Sequence, residues 1–372
     1  MTPKKTALYT VHKQLGASFT DFGGWDMPLK YTNDVEEHKT VRNAAGLFDL
    51  SHMGEFRVKG ADAGAYLDYV LLSNMSILKV GKAKYSLLLN EDGGVIDDLI
   101  TYRLADDEFL VVPNAANVDV DFEAFQERLG DFDVTLTNET ADTSLVAVQG
   151  PAAEAILLDM APDSPETITS MGYYAAAPVL FGNIQTLVAR TGYTGEDGFE
   201  IYVPNQDAEA LWNLAATRGE AHGALPAGLA ARDSLRLEAG MPLYGHELGL
   251  DIAPAEAGMG KLVEIALTKK TADFVGKEAV AAQAENAPAR TLIGLKAQGK
   301  RPARAGSKIV DEAGNSIGEI TSGIPSPTLG YPIALALMNT EHAHQGTTVN
   351  VDIRGKAAPF DIVPTPFYQR EK

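Results

Sequence analysis

The fold of this chain is decided by the stretch Asn90-Glu91-Asp92-Gly93-Gly94-Val95-Ile96-Asp97-Asp98-Leu99-Ile100. Its first part favours a tight turn, because Asp and Gly residues accept the positive φ angles that such turns require. Residues 85–89, before the turn, have the pattern of a strand, and so do residues 95–104, after it. The pattern predicts a β-hairpin whose return strand carries two adjacent carboxylates.

The two carboxylates should point to opposite faces of the return strand, because side chains alternate along a strand. Asp98 shares its face with Ile96, Ile100 and Tyr102, which form an apolar and aromatic wall, and Asp97 lies on the other face. A carboxylate on an apolar wall is costly unless something pairs with it, and a ligand could do so. Alternatively, both acids hydrogen-bond backbone amides near the turn. The pattern leaves both interpretations open.

The composition is that of a globular protein. The chain has 372 residues, enough for two or three domains, of which 45% are hydrophobic and 22% charged. It has no cysteine, which excludes disulfides, thiolate catalysis and zinc–thiolate sites. No apolar run is long enough to span a membrane, and residues 1–5 lack the apolar core of a signal peptide. We therefore expect a cytoplasmic protein.

The net charge of −19 argues against nucleic-acid binding, because the phosphate backbone would be repelled. An anionic ligand would need a local basic patch on such a protein. Lys79, Lys82 and Lys84 cluster just before the central hairpin. They form either a candidate anion site or a solvated loop.

Three neighbouring polar residues, Asp49, Ser51 and His52, suggest a hydrolase triad. The surrounding sequence has no G-x-S-x-G nucleophile elbow on a strand–turn–helix, so we reject that interpretation. His52 is instead predicted to be a structural residue that makes hydrogen bonds.

Two other candidate motifs also fail. The stretch Gly258-Met259-Gly260-Lys261 resembles the end of a phosphate loop, but Ala255 and Leu262 stand where Gly and Ser/Thr are required. His342 and His344 could ligate a metal, but no third ligand lies nearby in sequence, so we expect a surface loop.

Turn and cap residues outline the remaining elements. Asn33 or Asp34 should cap a helix that runs to residue 45 and is ended by Gly46, while Pro151 and Pro226 should each open a later helix. From residue 270 short strands and Gly/Pro turns dominate, which predicts a small antiparallel barrel or sandwich. Its predicted strands cover residues 292–295, 308–310, 317–320, 333–337 and 348–353.

Several stretches of the chain together resemble one family, and they occur in the family's order. They are Gly23-Gly24-Trp25-Asp26-Met27-Pro28, Phe48-Asp49-Leu50-Ser51-His52-Met53-Gly54, Gly93-Gly94-Val95-Ile96-Asp97-Asp98, Gln149-Gly150-Pro151, Arg190-Thr191-Gly192-Tyr193-Thr194-Gly195-Glu196-Asp197-Gly198-Phe199-Glu200, Ala231-Arg232-Asp233, Phe274-Val275-Gly276-Lys277 and Thr321-Ser322-Gly323. Each motif alone is weak, but the ordered set is specific. Over essentially its whole length the chain resembles the T-protein family of the glycine cleavage system, which are aminomethyltransferases.

The resemblance implies an α+β fold arranged as a three-domain cloverleaf around a central folate channel. The expected parts are a first folate-binding α+β region over residues 1–140, a second, interlaced region over residues 141–275, and a C-terminal antiparallel β-barrel over residues 276–372.

The resemblance also implies the reaction. The lipoyl arm of the H-protein, a transient partner, brings an aminomethyl group, and tetrahydrofolate accepts the one-carbon unit as co-substrate. Ammonia and methylenetetrahydrofolate are released, and we expect a monomer without a metal.

The resemblance also assigns candidate site residues. Asp98 matches the acid that lies near folate N10 in the family and is the candidate catalytic residue. Glu200 matches the pterin-binding acid, and a carboxylate can accept two hydrogen bonds from the pterin N–H edge. Arg232, which keeps its charge, suits an acceptor on the pterin or on the glutamate tail. The further positions that match the folate pocket are Met53, Tyr85, Tyr102, Asn114, Tyr174, Tyr193 and Tyr368.

Two alternatives keep the fold and change the activity. The first is a folate-dependent demethylase of a small methylated sulfur or nitrogen compound. The full ordered set of motifs favours the T-protein family over this alternative. The second is a non-enzymatic folate-binding maintenance factor for iron–sulfur proteins. That group carries a Lys-Gly-Cys motif, and this chain has no cysteine.

Overall fold

A computed structural model of the protein describes residues 2–371 and shows a mixed α+β fold. Within these residues the chain forms ten α-helices and two short 3-10 turns. The helices are α1 (Tyr9–Gln14), α2 (Asp34–Asn43), α3 (Ala63–Val70), α4 (Val118–Glu127), α5 (Ala153–Met160), α6 (Pro165–Ser170), α7 (Ala208–Glu220), α8 (Leu229–Glu238), α9 (Gly260–Lys269) and α10 (Lys277–Ala284).

The strands form a two-stranded ribbon, two larger open sheets and a closed barrel. They are β1 (Ser18–Phe22), β2 (Trp25–Lys30), β3 (Gly46–Asp49), β4 (Phe56–Lys59), β5 (Ala83–Leu89), β6 (Val95–Ala105), β7 (Glu108–Val112), β8 (Thr135–Asn138), β9 (Thr143–Gln149), β10 (Ala176–Phe181), β11 (Ile184–Ala189), β12 (Gly198–Pro204), β13 (Leu225–Pro226), β14 (Arg290–Ala297), β15 (Lys308–Val310), β16 (Ser316–Pro325), β17 (Pro332–Asn339), β18 (Thr348–Asp352) and β19 (Ala357–Val363).

The described residues divide into two compact units. The first comprises residues 2–67, 75–86 and 99–233. It contains a six-stranded sheet in the order β10-β11-β12-β9-β3-β13, on which α5 and α7 pack. The core between the helices and this sheet is apolar and includes Leu157, Trp212, Val148 and Phe199. Burial of such side chains is the main stabilising contribution to this unit.

The second unit comprises residues 68–74, 87–98 and 234–371, and it contains the closed barrel. The strand order is β14-β17-β16-β15-β18-β19, and β19 closes the barrel by pairing with β14. Closure leaves no free sheet edge, and side chains such as Leu295, Ile320, Met338 and Phe360 fill the interior. The predicted α+β class and C-terminal antiparallel barrel are confirmed.

The central hairpin forms as predicted. In the five-stranded sheet β5-β6-β7-β4-β8, the turn between β5 and β6 is closed by the Gly93 amide, which donates to the Asn90 carbonyl at 3.1 Å. Gly93 has a φ of +79°, whereas Gly94 is required for space, since a Cβ there would lie 2.1 Å from the Leu250 carbonyl oxygen. Along β6 exposure alternates, so that Asp97 is fully buried and Asp98 is half-buried.

Three local predictions are wrong. Helix α2 starts at the predicted cap, where Asn33 accepts from the Val35 amide, but it ends at Asn43. Gly46 instead begins β3, where a Cβ would lie 2.4 Å from Val41 Cγ2, so space and not a helix cap requires glycine. Pro151 precedes α5 by two residues, and Pro226 lies in the short strand β13, which pairs with β3.

Strand β19 is not predicted by the sequence. It contains Pro359, and a proline within an apolar run argues against a strand because it cannot donate to the ladder. In the barrel Pro359 lies opposite Asn350 of β18, and its carbonyl accepts from the Gln298 amide at 3.1 Å. The closed barrel therefore accommodates Pro359 within a strand. The rule that a proline argues against a strand consequently fails to predict β19.

Candidate functional site

The loop between β11 and β12 is built around one glutamine of β9. A Cβ on Gly192 would lie 2.0 Å from Gln149 Oε1, and a Cβ on Gly198 would lie 2.4 Å from Gln149 Cδ. Only glycine leaves room for this side chain, whose amide donates to the Thr191 carbonyl at 3.0 Å. Gln149 Oε1 also accepts from the Thr194 hydroxyl at 2.9 Å. The glycines of the quoted motif thus let the loop close around Gln149 and fix the position of Thr191.

Two ion pairs hold the same loop. Arg190 donates to both carboxylate oxygens of Asp197, at 3.0 and 2.5 Å, in a two-pronged pair that fixes geometry as well as charge. Arg42 of α2 pairs with Glu196 at 2.8 Å, and both side chains are almost completely buried. The loop is therefore rigidly placed beside β12.

Tyr102 lies at the centre of a polar cluster in the first unit. Its ring is fully buried, and its hydroxyl lies 3.1 Å from Thr191 Oγ1 and 3.3 Å from the Tyr202 hydroxyl. Burial raises the pKa of Tyr102 well above its ordinary value, and the charge of Glu200 adds to that effect. The phenol therefore stays protonated and acts as a hydrogen-bond donor.

Glu200 lies on β12 and receives a hydrogen bond from the Thr191 hydroxyl at 2.5 Å. The carboxyl group is almost entirely buried. Burial raises its pKa above the ordinary value, although the hydrogen bond from Thr191 and the charge of Arg232 act in the opposite direction. A buried acid with one oxygen engaged by a hydroxyl can offer the other oxygen to a ligand N–H group.

Arg232 supplies the positive charge of the cluster. It comes from α8, and its guanidinium carbon lies 4.8 Å from the centre of the Tyr193 ring, in a cation–π arrangement. Burial lowers the pKa of Arg232, and the charge of Glu200 opposes this shift. The side chain stays charged at any ordinary pH, so it can orient an anionic or carbonyl acceptor.

The triad residues do not form a triad. Asp49 accepts hydrogen bonds from the Thr6 hydroxyl at 2.7 Å and pairs with His12 at 2.9 Å, so its partner is not the neighbouring His52. The Ser51 hydroxyl oxygen accepts from the Leu145 amide at 3.0 Å. The predicted structural role of His52 is met only in part, since it is buried but its Nδ1 atom has no hydrogen-bond partner.

His52 gives a testable pH dependence. Burial, together with the charge of Arg232, lowers its pKa from the ordinary 6.5 to about 3, although Asp49 acts in the opposite direction. The unfolded chain takes up this proton near pH 6.5 and the folded chain only near pH 3. Stability is therefore fully present above pH 6.5 and is lost as the pH falls toward 3.

In a His52→Asn variant we expect the free energy of unfolding to fall less steeply below pH 6.5 than in the wild type. The difference should be at most about 1.4 kcal/mol per pH unit. Denaturant titrations between about pH 7 and pH 4.5 measure it. The control is His222→Asn, which removes a partly exposed histidine paired with Asp159 at 2.7 Å. Parallel curves for the wild type and His52→Asn would show that His52 is not the buried titrating group.

The structure brings five of the sequence-predicted site residues together in the first unit. Tyr102, Glu200, Arg232 and Tyr193 are linked by the interactions described above. Tyr174 lies close enough to Tyr102 to raise the pKa of its phenol, and its own φ is +59°, which is rare for a tyrosine. Their roles in ligand binding stay predictions.

The other predicted residues lie elsewhere along the chain. Met53 is half-buried in the turn after β3, Tyr85 is half-buried on β5, and Asn114 is half-buried in the turn after β7. Asp98 and Tyr368 belong to the second unit. Asp98 lies on the half-buried face of β6 with Ile96 and Ile100, and the Tyr368 amide donates to the Glu238 carbonyl at 2.8 Å. These roles also stay predictions.

Sequence reasoning missed two members of the cluster, Thr191 and Tyr202. Thr191 lies inside a quoted motif, but the part its hydroxyl plays is seen only in the structure, where it contacts Glu200 at 2.5 Å and the Tyr102 hydroxyl at 3.1 Å. Tyr202 lies two residues after Glu200 on β12, so the two-residue period of a strand places both side chains on one face. This two-residue period is visible in the sequence and could have identified Tyr202 as a neighbour of Glu200.

The structure gives no support for a ligand at two other candidate sites, the histidine pair considered for a metal and the lysine cluster considered for an anion. His342 lies 3.5 Å from Glu341, and within residues 2–371 no three His, Asp or Glu side chains are grouped so that they could hold a metal ion. Lys79 and Lys82 are exposed and Lys84 is half-buried, so the anion-site and solvated-loop interpretations both stay open.

In the same described range no helix has the length and apolar character needed to cross a membrane.

Known proteins match the chain over nearly its whole length. The GCVT N-terminal domain family matches residues 8–267, and the glycine cleavage T-protein C-terminal barrel domain family matches residues 290–369. An aminomethyltransferase of Corynebacterium aurimucosum is 53% identical over 368 residues, covering 98% of each chain. One of Streptomyces avermitilis is 49% identical and covers 100% of this chain and 99% of its own. The crystal structure of glycine cleavage system aminomethyltransferase T from Bartonella henselae superimposes with a TM-score of 0.90 at 36% identity, covering 98% of each chain.

Proposed function

Because this chain belongs to the glycine cleavage T-protein family and is an aminomethyltransferase, we propose that it transfers the one-carbon unit from an aminomethyl-lipoyl H-protein to tetrahydrofolate. The observation that carries the folate assignment is the buried Glu200 carboxylate, with the Thr191 hydroxyl on one oxygen and the Arg232 charge nearby. A flat ring with an N–H edge and a carbonyl suits such a pair. The transient H-protein partner, the monomeric state and the cytoplasmic location predicted from the sequence belong to this proposal.

The proposed reaction balances without a further reactant. The C–S and C–N bonds of the aminomethyl thioether break, and two C–N bonds form to N5 and N10 of folate. The protons lost from N5 and N10 leave on the thiol of the arm and on ammonia. The enzyme contributes mainly positioning and electrostatic stabilisation of the cationic carbon.

In this proposal each residue has a distinct task. Glu200 accepts hydrogen bonds from the pterin edge, Arg232 orients an acceptor, and Tyr102 holds Thr191 against Glu200. Asp98 would face N10 and stabilise developing positive charge there. Its place on the half-buried, apolar face of β6 supports that role, because a charge acts more strongly where water is excluded.

The function is tested by mixing the protein with aminomethylated H-protein and tetrahydrofolate. We expect ammonia release and methylenetetrahydrofolate in equal amounts, and neither product when the H-protein lacks its lipoyl arm. Methyltetrahydrofolate formed from a small methylated sulfonium or amine, with no turnover of the loaded H-protein, would establish the demethylase alternative.

A further inference from the structure

A loop of the second unit contacts the start of the return strand in the central hairpin. We call residues 243–250, which follow α8, the support loop. The Gly249 carbonyl accepts a hydrogen bond at 3.2 Å from the amide of Val95, the first residue of β6. The Leu250 carbonyl oxygen lies against Gly94, where a Cβ would approach it to 2.1 Å. The support loop therefore holds the two residues that lead into β6.

The same contact bears on Asp98, because that residue lies close to the held end of the strand. A strand advances about 3.3 Å per residue, so Asp98 lies only about 10 Å along β6 from Val95. The turn before β6 is closed in addition by the Asn90 side chain, whose oxygen accepts from the Gly94 amide at 2.8 Å. Since β6 runs without interruption from Val95 to Asp98, a shift of its first residue moves the Asp98 carboxyl.

A buried ion pair holds the support loop. Arg236, near the end of α8, donates to Glu247 Oε2 at 3.0 Å, and both side chains are almost completely buried. The same oxygen accepts from the Leu243 amide at 2.9 Å, so one carboxylate atom joins α8 to the first residue of the loop. Arg236 also donates to the Met241 carbonyl at 3.1 Å. Because a buried charge that loses its partners is costly, the two side chains keep this geometry.

The support loop is also attached to the barrel. Arg236 donates to the Ser322 hydroxyl of β16 at 2.7 Å. The pairing of β16 with β17 shifts register between Ile320 and Ser322, so Thr321 is the extra residue of a bulge. The His246 ring donates to the Thr321 carbonyl at 2.8 Å, since a carbonyl can only accept. The sequence motif around Ser322, which the proposed function does not use, thus anchors the support loop through two side chains.

We propose that Arg236 and Glu247 are positioning residues for Asp98: their ion pair holds the support loop on the barrel, and the loop fixes the start of β6. A displacement of about 1 Å from the productive geometry can lower a rate about 10²-fold. The inference rests on the proposed function, in which Asp98 faces folate N10. All these elements belong to the second unit, whereas Glu200 lies in the first, so the chemical step should respond and folate binding should not.

The test replaces both charges at once, in the full-length variant Arg236→Met/Glu247→Met. Replacing a whole buried ion pair by apolar side chains is often tolerated, so this variant should fold. We expect its single-turnover formation of methylenetetrahydrofolate to be about 10- to 100-fold slower than in the wild type. The Kd for tetrahydrofolate should change less than about twofold. A merely structural role predicts the wild-type rate per folded molecule.

Glu247→Gln is the conservative variant. Both hydrogen bonds described above go to Glu247 Oε2, and within the described part of the chain Oε1 has no hydrogen-bond partner. An amide oxygen in place of Oε2 can accept both bonds, and the NH2 group replaces an atom that accepts none. This variant should be less stable, because Arg236 loses its counter-charge, yet its single-turnover rate should stay within about threefold of the wild type. Rate and stability are thereby separated.

Glu256→Met is the matched control. Glu256 likewise joins an arginine to a backbone amide, since it accepts from Arg290 at 2.9 Å and from the Ala253 amide at 3.1 Å. It lies in the same unit but outside the support loop. Its loss should lower the melting temperature and leave the single-turnover rate within about twofold of the wild type.

Hydrogen exchange measures the structural step without turnover. The Val95 amide should exchange at least about tenfold faster in Arg236→Met/Glu247→Met than in the wild type, because its acceptor is no longer held, and Glu256→Met should leave it unchanged. Unchanged Val95 exchange in the double variant would overturn the proposal.

Two kinetic results would also overturn it, namely a wild-type rate in the double variant or a Glu247→Gln variant as slow as the double variant. Failure of the proposed function gives a different pattern, in which the wild type forms no methylenetetrahydrofolate or Asp98→Asn keeps the wild-type rate. The wild type and Asp98→Asn are therefore measured alongside the variants of the ion pair.

Discussion

An Asp98→Asn variant should fold normally and lose nearly all turnover of the loaded H-protein. The substitution keeps the shape of the side chain and removes its charge, at a position that is half-buried on β6 beside Ile96 and Ile100. Loss of a group that stabilises developing charge or moves a proton typically costs about 10²- to 10⁴-fold in rate. Single-turnover formation of methylenetetrahydrofolate, with saturating tetrahydrofolate, measures the chemical step directly.

The neighbouring acid supplies the matched control. Asp97 is fully buried on the opposite face of the same strand, so Asp97→Asn should lower the melting temperature and leave the rate per folded molecule close to the wild-type value. Thermal unfolding and active-site titration separate the two effects. Equal loss of turnover in both variants, with melting unchanged in both, would contradict the assignment of the two acids to opposite faces.

The parts of the fold that the sequence predicts are those set by local periodicity and turn chemistry. The alternation of exposure along β6 follows from a two-residue period, and the turn before it follows from Gly93, the glycine that adopts a positive φ. The barrel strands are short and separated by turn residues, so their existence is also a local property. Hence the hairpin, the faces of its two acids and five of the six barrel strands are foreseen, whereas the strand pattern alone left a barrel and a sandwich open.

The parts that the sequence does not predict depend on residues distant in the chain. Gly46 is required because Val41 occupies the space of its Cβ, and Gly192 because Gln149 does, so neither marks a cap or a turn. Thr191 and Tyr202 join the candidate site only through hydrogen bonds that follow from strand pairing. Such contacts are set by packing, which a single sequence read locally does not reveal.

The second large effect is expected in folate binding by Glu200→Gln. The amide has only one acceptor oxygen, and its NH2 group donates, so it cannot present one oxygen to the Thr191 hydroxyl and a second to the pterin N–H edge as the carboxylate can; it also no longer complements the Arg232 charge. Removing one partner of a charge-assisted hydrogen bond should cost about 1.5–3 kcal/mol, or roughly 10- to 150-fold in Kd. Titration calorimetry with tetrahydrofolate measures the loss without relying on turnover.

The pH dependence of this binding adds a second readout. Burial raises the pKa of Glu200 above that of an ordinary glutamate. The carboxylate fraction of Glu200 should therefore increase as the pH rises through this raised pKa, and the affinity of the wild type for tetrahydrofolate should increase with it. Glu200→Gln should not show this pH-dependent increase in affinity. The matched control is Glu196→Gln, which removes a buried, Arg42-paired acid from the same loop and should affect stability rather than affinity. Unaltered folate affinity in Glu200→Gln, or an equal loss in Glu196→Gln, would mean that Glu200 does not contact the pterin. A loss confined to Glu200→Gln, together with the missing pH component, is the result that requires a direct contact.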